Sequence, residues 1–192
     1  MLPLCGAADR VNSYAVVTYI PDPLGSFLDQ LRRDLEPCCT MAPRAHVTVL
    51  PPRSLSDGVA PEAAWHSIES QAACIQAFCI RPSNIEIFPG TNVVYLGIGE
   101  GTADLMHMHA ELKGGLMEAC EAFDYHPHIT LAQGLQPDEA VEIAAQAQRR
   151  WDAYSKGTEF PAEVFTFVQN TQGNKWLDLA EFSLSPVGVA RR

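Results

Sequence analysis

The sequence predicts an α+β fold made of two similar halves, a bilobal arrangement. Strand-like and helix-like segments follow the order strand, helix, strand, helix, strand, and this order occurs twice in 192 residues. The middle strand of each half holds a histidine and, two residues later, a threonine: His46 with Thr48, and His128 with Thr130. An internal duplication is the simplest explanation, and we place the two halves at residues 13–90 and 91–185.

The first half begins with a strand and a helix. The segment SYAVVTYI at 13–20 is rich in β-branched and aromatic residues, which favour a strand. Asp22 and Pro23 are residue types typical of a helix N-cap and of the first helical position. The apolar residues that follow recur at helical spacing: Leu24, Phe27, Leu28, Leu31 and Leu35.

The first motif strand, 45–50, follows, and we expect it to end at Pro51 and Pro52. A second helix is predicted to begin near Pro61, and the segment NIEIF at 84–88 is predicted to be a strand. The buried stripe of that helix is expected to hold these residues: Trp65, Ile68, Ala72, Ile75 and Cys79.

The second half repeats this order. Its strands are predicted at 92–98, at 127–132 for the second motif, at 164–169 and at 175–184. A helix from Thr102 is predicted to bury Leu105, Met108, Leu112 and Leu116, with Gly114 and Gly115 inside it. A helix from Pro137 is predicted to bury Ala140, Ala144, Ala147, Trp151 and Tyr154.

The spacing of the motif indicates phosphoryl chemistry. Residues i and i+2 of a strand share a face, about 6.6 Å apart. A threonine hydroxyl can donate to a phosphate oxygen, and an imidazole, with an unperturbed pKa of about 6.5, can take or give a proton near neutrality. A single histidine or threonine on a half-buried strand is usually structural, but a structural role does not predict the same pair in both halves.

Composition limits the partners. The formal net charge of −10 argues against a protein that grips long duplex nucleic acid, and no apolar run reaches the roughly 18 residues of a membrane span. The six cysteines form no C-x-x-C pair and no Cys/His spacing typical of zinc, so we expect reduced thiols, no metal and a cytoplasmic location. Cys74 and Cys79 are expected inside a helix.

Residues beside the motifs could contact an anionic substrate. Arg44 and Arg53 flank the first motif, although exposed arginines are often only solvated. Tyr125 could stack on a base or pack in the core. His126 shares strand parity with His128, but the proline between them favours an exposed or structural role.

A second pair of histidines lies in the predicted helix of the second half. His107 and His109 would lie about 200° apart around it, so they would not share an ion. We expect His109 to be packed and His107 to face solvent.

The segments HVTVLPPR and HPHITLAQ resemble the paired H-x-T-x signatures of the 2H phosphoesterase superfamily, and within it the bacterial 2′-5′ RNA ligase branch that includes cyclic phosphodiesterases. The resemblance extends from about Tyr14 to Leu184. It implies two mainly antiparallel sheets around a central cleft, with helices outside. It also implies metal-independent hydrolysis of 2′,3′-cyclic phosphates or 2′-5′ linkages.

By this resemblance His46 and His128 would be the acid and base, with Thr48 and Thr130 as phosphate ligands and no cofactor. Many relatives carry a basic residue shortly after the second motif, where this chain has Gln133 and Gly134. Gln133 could still donate a hydrogen bond to the substrate.

The partner expected from these features is a nucleotide or an RNA 3′-end with a cyclic phosphate, bound by a monomer. Two other functions stay open at this point. The same acid and base could run the reaction backwards, as a reversible 2′-5′ ligase. Alternatively, the cleft could bind a nucleotide or RNA end without chemistry, although such a binder has no need of both histidines.

Overall fold

The computed structural model describes residues 9–35, 43–117, 121 and 123–186. Within these residues the strands and helices follow the predicted order, with one additional strand between the last helix and the strand predicted at 164–169. The strands are β1 Arg10–Tyr19, β2 His46–Arg53, β3 Phe78–Ile87, β4 Val94–Glu100, β5 His128–Ala132, β6 Phe160–Ala162, β7 Val164–Thr171 and β8 Trp176–Ser183. The helices are α1 Leu24–Leu35, α2 Pro61–Ala72, α3 Thr102–Leu112 and α4 Pro137–Asp152.

Two antiparallel four-stranded sheets form the centre of the molecule, with strand orders β2-β1-β7-β8 and β5-β4-β3-β6. This confirms the predicted α+β class. Each sheet takes strands from both halves of the sequence, because β7 pairs with β1 and β3 pairs with β4. Both sheets therefore cross the predicted boundary, and the division into halves 13–90 and 91–185 stays a prediction.

The two motif strands occupy corresponding positions. β2 and β5 are each the edge strand of their sheet, and the two strands contact each other. Their first five residues alternate in the same way, with the second, fourth and fifth buried. Val47 and Ile129 enter the hydrophobic core, whereas the motif side chains lie on the opposite face, which we call the open face.

The helices cover the other faces of the sheets, and their packing also crosses the repeat. α1 packs against β5 and α4, whereas α3 packs against β2 and α2. The helices and sheets enclose one main core, whose largest fully buried side chains include Leu28, Leu31, Leu50, Ile68, Leu96, Leu105, Met108, Phe165 and Phe167. Each motif strand is therefore supported from behind by a helix of the other half.

The predicted end of the first motif strand at 50 was wrong. β2 continues through Pro51 and Pro52 to Arg53. A proline removes a backbone donor, which an edge strand tolerates because one of its sides needs no sheet partner.

The predicted extent of the second helix was also wrong. α2 ends at Ala72, so Cys74 and Cys79 both lie beyond it. Cys79 belongs to β3, where it pairs with Pro161 of β6, a strand that the sequence did not predict. A short apolar run is compatible with a buried strand as well as with a helix. At Cys79 the chain forms a strand, because it pairs there with β6.

The helix of the second half is shorter than predicted. α3 ends at Leu112, before Gly114 and Gly115, and Leu116 is 39% exposed rather than buried. Gly115 has a φ of 66°, a left-handed conformation that glycine adopts readily and that does not continue a helix. The chain therefore leaves the helical path before Leu116 could join the buried stripe.

None of the helices in the described ranges has the length and apolar character required to cross a membrane. Cys74 and Cys79 carry free thiols. The other four cysteines of the thiol prediction, Cys5, Cys38, Cys39 and Cys120, lie outside the described residues.

Substitution of Gly101 by alanine should destabilise the fold. Gly101 precedes α3 with a φ of 88°, and a Cβ there would lie 2.5 Å from the carbonyl oxygen of Cys79. The left-handed conformation alone should lower the free energy of unfolding by about 1–3 kcal/mol, measured by urea denaturation. Gly157→Ala is the control, because a Cβ there meets nothing within 4 Å. Equal stability of the two variants would contradict this reading of Gly101.

Candidate active site

His46 and His128 open their strands and make the same backbone contact. The Nδ1 of His46 lies 2.7 Å from the carbonyl oxygen of Arg44, and the Nδ1 of His128 lies 2.7 Å from that of His126. A carbonyl oxygen can only accept, so each Nδ1 carries a hydrogen and donates it. Each ring is thereby oriented through Nδ1 by its own strand.

The two threonines follow on the same face of their strands. Thr48 lies opposite Val17 of β1, and Thr130 lies opposite Tyr95 of β4. Both are half-buried, as the histidines are. Because β2 and β5 contact each other, the open face presents two imidazoles and two hydroxyls on adjoining strand edges.

Burial shifts both imidazoles toward the neutral form. It lowers the pKa of His46 to about 4, and the charge of a protonated His128 acts in the same direction. Burial likewise lowers the pKa of His128, and a protonated His126 would add to this effect. The influence of one motif histidine on the other places both in one electrostatic environment.

A tyrosine lies beside the first imidazole. The rings of Tyr19 and His46 meet edge-on, with centroids 6.4 Å apart. The Tyr19 hydroxyl donates to Asp178 at 2.5 Å, and burial raises the pKa of this hydroxyl. The guanidinium carbon of Arg44 lies 3.9 Å from the centre of the Tyr19 ring, so a cation lies close to the first motif.

The second imidazole is held by a similar aromatic arrangement. The His128 ring meets Phe88 edge-on at 4.8 Å and Tyr95 at 5.4 Å, and these two rings stack on each other at 3.9 Å. The Tyr95 hydroxyl donates to Glu86 at 3.0 Å, and burial raises its pKa to about 12. The exposed His126 ring also borders Phe88, so it lies beside the second motif.

The predicted substrate contacts fall into two groups. Arg44 and Gln133 are exposed and lie next to the motif strands. The Arg53 side chain is only 3% exposed, and Tyr125 donates its hydroxyl to the Thr48 carbonyl at 2.9 Å. Arg53 and Tyr125 therefore have partners within the protein, as does Arg44, which lies 3.5 Å from a carboxylate oxygen of Asp178. A substrate role for any of the four stays a prediction.

One group in the described part of the chain has the spacing of metal ligands. The ligand atoms of Cys79, Glu100 and Glu159 lie within 4.8 Å of one another. Arg81 forms ion pairs with both carboxylates. The group lies on β3 and its neighbours, away from the motif edge of that sheet.

Sequence reasoning missed the residues that surround the imidazoles. Tyr19 had a usable signal, because it alternates with Ala15 and Val17 along β1 and so shares one face with them. Phe88 ends the predicted strand 84–88, where it alternates with Glu86, and it lies one residue beyond β3. Glu121, which contacts Arg53 and His109, had no signal, because it reaches its contacts from a loop whose path the local sequence does not determine.

Comparison with known proteins identifies the family. Residues 20–174 match the model of the 2′-5′ RNA ligase superfamily, and the chain belongs to this family. The resemblance to the 2H phosphoesterases noted from the two motifs is thereby confirmed.

The relatives carry names consistent with that family. A Bacillus pumilus protein with a provisional phosphoesterase name is 25% identical over 176 residues, which cover 91% of this chain and 99% of that protein. A Bacillus licheniformis protein with a similar name is 24% identical over 138 residues, 71% of this chain and 80% of its own length.

Solved structures share the fold. LigT of E. coli, determined with NADP+, superposes with a TM-score of 0.61 at 17% identity and covers 92% of this chain and 98% of its own. The protein TT0787 of Thermus thermophilus gives a TM-score of 0.63 at 19% identity, with 92% and 100% covered. At these identities the likeness establishes the fold.

The lowered pKa of His46 should make the fold sensitive to acid. Between pH 6.5 and about 4 the unfolded chain binds a proton at this position that the folded chain does not. The free energy of unfolding should therefore fall as the pH falls through this range, by on the order of 1–3 kcal/mol from this group. Urea denaturation at pH 7, 5 and 4 measures it.

His46→Gln should flatten this dependence relative to the unsubstituted protein. His107→Gln, which changes an exposed histidine of α3, should leave it unaltered. If the free energy of unfolding changed with pH equally in His46→Gln and in the unsubstituted protein, the folded state would not lower the pKa of His46.

Proposed function

We propose that this protein is a metal-independent phosphodiesterase that hydrolyses 2′,3′-cyclic phosphates or 2′-5′ phosphodiester bonds of nucleotides or RNA ends. The observation that carries the proposal is the matched pair of imidazoles on adjoining edges. Each is oriented through Nδ1 by its own strand and is followed by a threonine on the same face. The family to which the chain belongs supports phosphoester chemistry.

In the proposed reaction a water molecule attacks phosphorus. One motif histidine, neutral, accepts the water proton at Nε2 as the water oxygen bonds to phosphorus. The other, protonated, gives its Nε2 proton to the ribose oxygen as the bond from phosphorus to that oxygen breaks. The product is a phosphomonoester with a free ribose hydroxyl. Proton exchange with solvent then restores both rings.

The remaining groups have supporting roles in this proposal. The hydroxyls of Thr48 and Thr130 donate to the non-bridging phosphate oxygens. Arg44 lies beside His46 in an ion pair with Asp178, and in this proposal its guanidinium also attracts the anionic substrate against the net charge of −10. Because the two histidines supply both proton transfers, the reaction as proposed needs no metal.

The site has neighbours suited to a nucleoside. Phe88 and His126 present aromatic surface beside His128. Bases stack readily on such rings. LigT of E. coli has been determined with 3′-AMP and with ATP, which supports a nucleotide as the ligand to test first.

Replacement of either motif histidine by alanine should remove turnover. We expect kcat to fall by about 100- to 10,000-fold for His46→Ala and for His128→Ala, because each variant loses one proton transfer. The assay measures hydrolysis of nucleoside 2′,3′-cyclic monophosphates and 2′-5′ dinucleotides, with the product identified as a 2′- or 3′-phosphate.

His107→Ala is the matched control, and circular dichroism verifies that each variant is folded. Undiminished hydrolysis in the double variant of His46 and His128 would refute the proposal. RNA fragments with a 2′,3′-cyclic phosphate and a 5′-hydroxyl form a further arm, in which a new 2′-5′ bond would indicate ligation rather than hydrolysis.

The pH dependence of kcat/KM should be bell-shaped with its maximum on the acid side of neutrality. The base must be neutral, so activity rises with pH through its pKa, and the acid must be protonated, so activity falls with rising pH through its pKa. Burial lowers the pKa of both His46 and His128, so both limbs should lie below about pH 6.5.

A bound phosphate favours the charged imidazole, so the alkaline limb of kcat should lie at higher pH than that of kcat/KM. The profile is measured with and without EDTA, which should have no effect. A kcat/KM that keeps rising above about pH 7.5 would contradict the two-histidine assignment, because the unperturbed imidazole pKa is about 6.5.

A further inference from the structure

A buried charged cluster joins the first motif strand to the second half of the chain. Its members are Arg53 of β2, His109 of α3, and Glu121 and Tyr125 of the segment before β5. Arg53 and His109 are buried, and the hydrogen bonds among these residues extend from the core to the backbone of β2. None of the four supplies a proton in the proposed reaction.

Two successive carbonyl groups of the first motif strand accept hydrogen bonds from this cluster. Tyr125 donates its hydroxyl to the Thr48 carbonyl at 2.9 Å. The Nδ1 of His109 lies 2.7 Å from the Val49 carbonyl oxygen. The His109 and Tyr125 rings stack with centroids 4.0 Å apart and planes 7° apart, so each fixes the other.

Both nitrogens of His109 face oxygen atoms that accept. Nδ1 faces the Val49 carbonyl, and Nε2 lies 3.0 Å from a carboxylate oxygen of Glu121. A carbonyl cannot donate, so Nδ1 must carry a hydrogen. Nε2 must carry one as well if Glu121 is ionised.

Glu121 also forms an ion pair with an arginine. Its other carboxylate oxygen accepts from Arg53 at 2.6 Å, and Arg53 also donates to the carbonyl oxygens of Met117 at 2.8 Å and Pro51 at 3.0 Å. Burial acts to raise the pKa of Glu121, but hydrogen bonds from Arg53 and His109 outweigh it and hold that pKa below its usual value. The carboxylate is therefore ionised.

We infer that His109 carries a proton on both ring nitrogens and is a positioning residue through which the second half of the chain holds the first motif strand. The kinetic part of this inference rests on the proposed function. The cluster fixes the backbone at Thr48 and Val49, two and three residues after His46. Within its sheet, the strand that carries these residues pairs only with β1.

Several other ionisable groups on the elements that pack against α3 have partners of their own or are exposed. On α2, His66 pairs with Glu69 at an exposed position, and Glu62 is exposed. On β4, Glu100 pairs with Arg81, and Tyr95 donates its hydroxyl on the open face. Among the described residues, the charged group that hydrogen-bonds the His109 ring is Glu121.

Nitrogen NMR of the full-length, histidine-labelled protein at about pH 7, where an unperturbed imidazole is mostly neutral, tests the protonation state. We expect the two-proton imidazolium pattern for His109, assigned by its loss in His109→Gln. Glu121→Gln removes the carboxylate and should convert His109 to the one-proton pattern. A one-proton pattern in the unsubstituted protein, or no change in Glu121→Gln, would overturn the inference.

Kinetics with a nucleoside 2′,3′-cyclic monophosphate test the positioning role. His109→Gln should lower kcat by about 10- to 100-fold with little change in KM, because a displaced acid or base costs rate more than binding. His107→Gln, the same change two residues away on the exposed face of α3, should match the unsubstituted protein. An unchanged kcat in folded His109→Gln would overturn the positioning role.

The NMR signals of the His46 ring provide a readout that does not need turnover. They should move in His109→Gln and stay in place in His107→Gln. If the unsubstituted protein hydrolyses none of the substrates, the proposed function fails, and the His46 signals still decide whether His109 positions the motif strand.

If His109→Gln does not fold, a second variant replaces it. Tyr125→Phe removes one hydrogen bond of the same cluster and should displace the His46 signals. Unmoved signals would then overturn the positioning role.

Discussion

Pairing between strands of the two repeats is the constraint on which the candidate site depends. β7 adds to β1 and β3 adds to β4, so neither sheet is complete without both halves of the sequence. With the inner positions occupied, β2 and β5 remain as edge strands that contact each other. An in-line displacement at phosphorus needs a base on one side and an acid on the other, and adjoining edges can provide both.

The same arrangement controls the chemistry of the two imidazoles. Each ring donates from Nδ1 to the carbonyl two residues earlier, so the strand that carries the histidine also orients it. Aromatic side chains from neighbouring strands and turns border both rings, and the resulting burial favours the neutral form. The anionic substrate of the proposed reaction would favour the protonated form of one ring, which is what general acid catalysis requires.

Local sequence was enough to find the motif strands and their orientation. A period of two places His46 and Thr48 on one face and Val47 on the other, and burial agrees with that alternation. Helical spacing located α1 and the start of α4 well, although α4 ends at Asp152, before Tyr154, which was predicted to belong to its buried stripe. It extended α2 to Cys79 wrongly, because the choice between a helix and a buried strand there depends on β6, which lies far along the chain.

What the sequence by itself determined is therefore the duplication, the alternation of elements and the face on which each motif residue lies, since these depend on neighbours along the chain. The tertiary structure alone decided that the repeats exchange strands and that β2 meets β5. It also decided that Arg53 turns inward to Glu121 while Arg44 stays exposed. These outcomes depend on contacts between residues far apart in the sequence. Such contacts are selected by packing and by the pairing of buried charges. No periodic pattern in a single sequence reveals either.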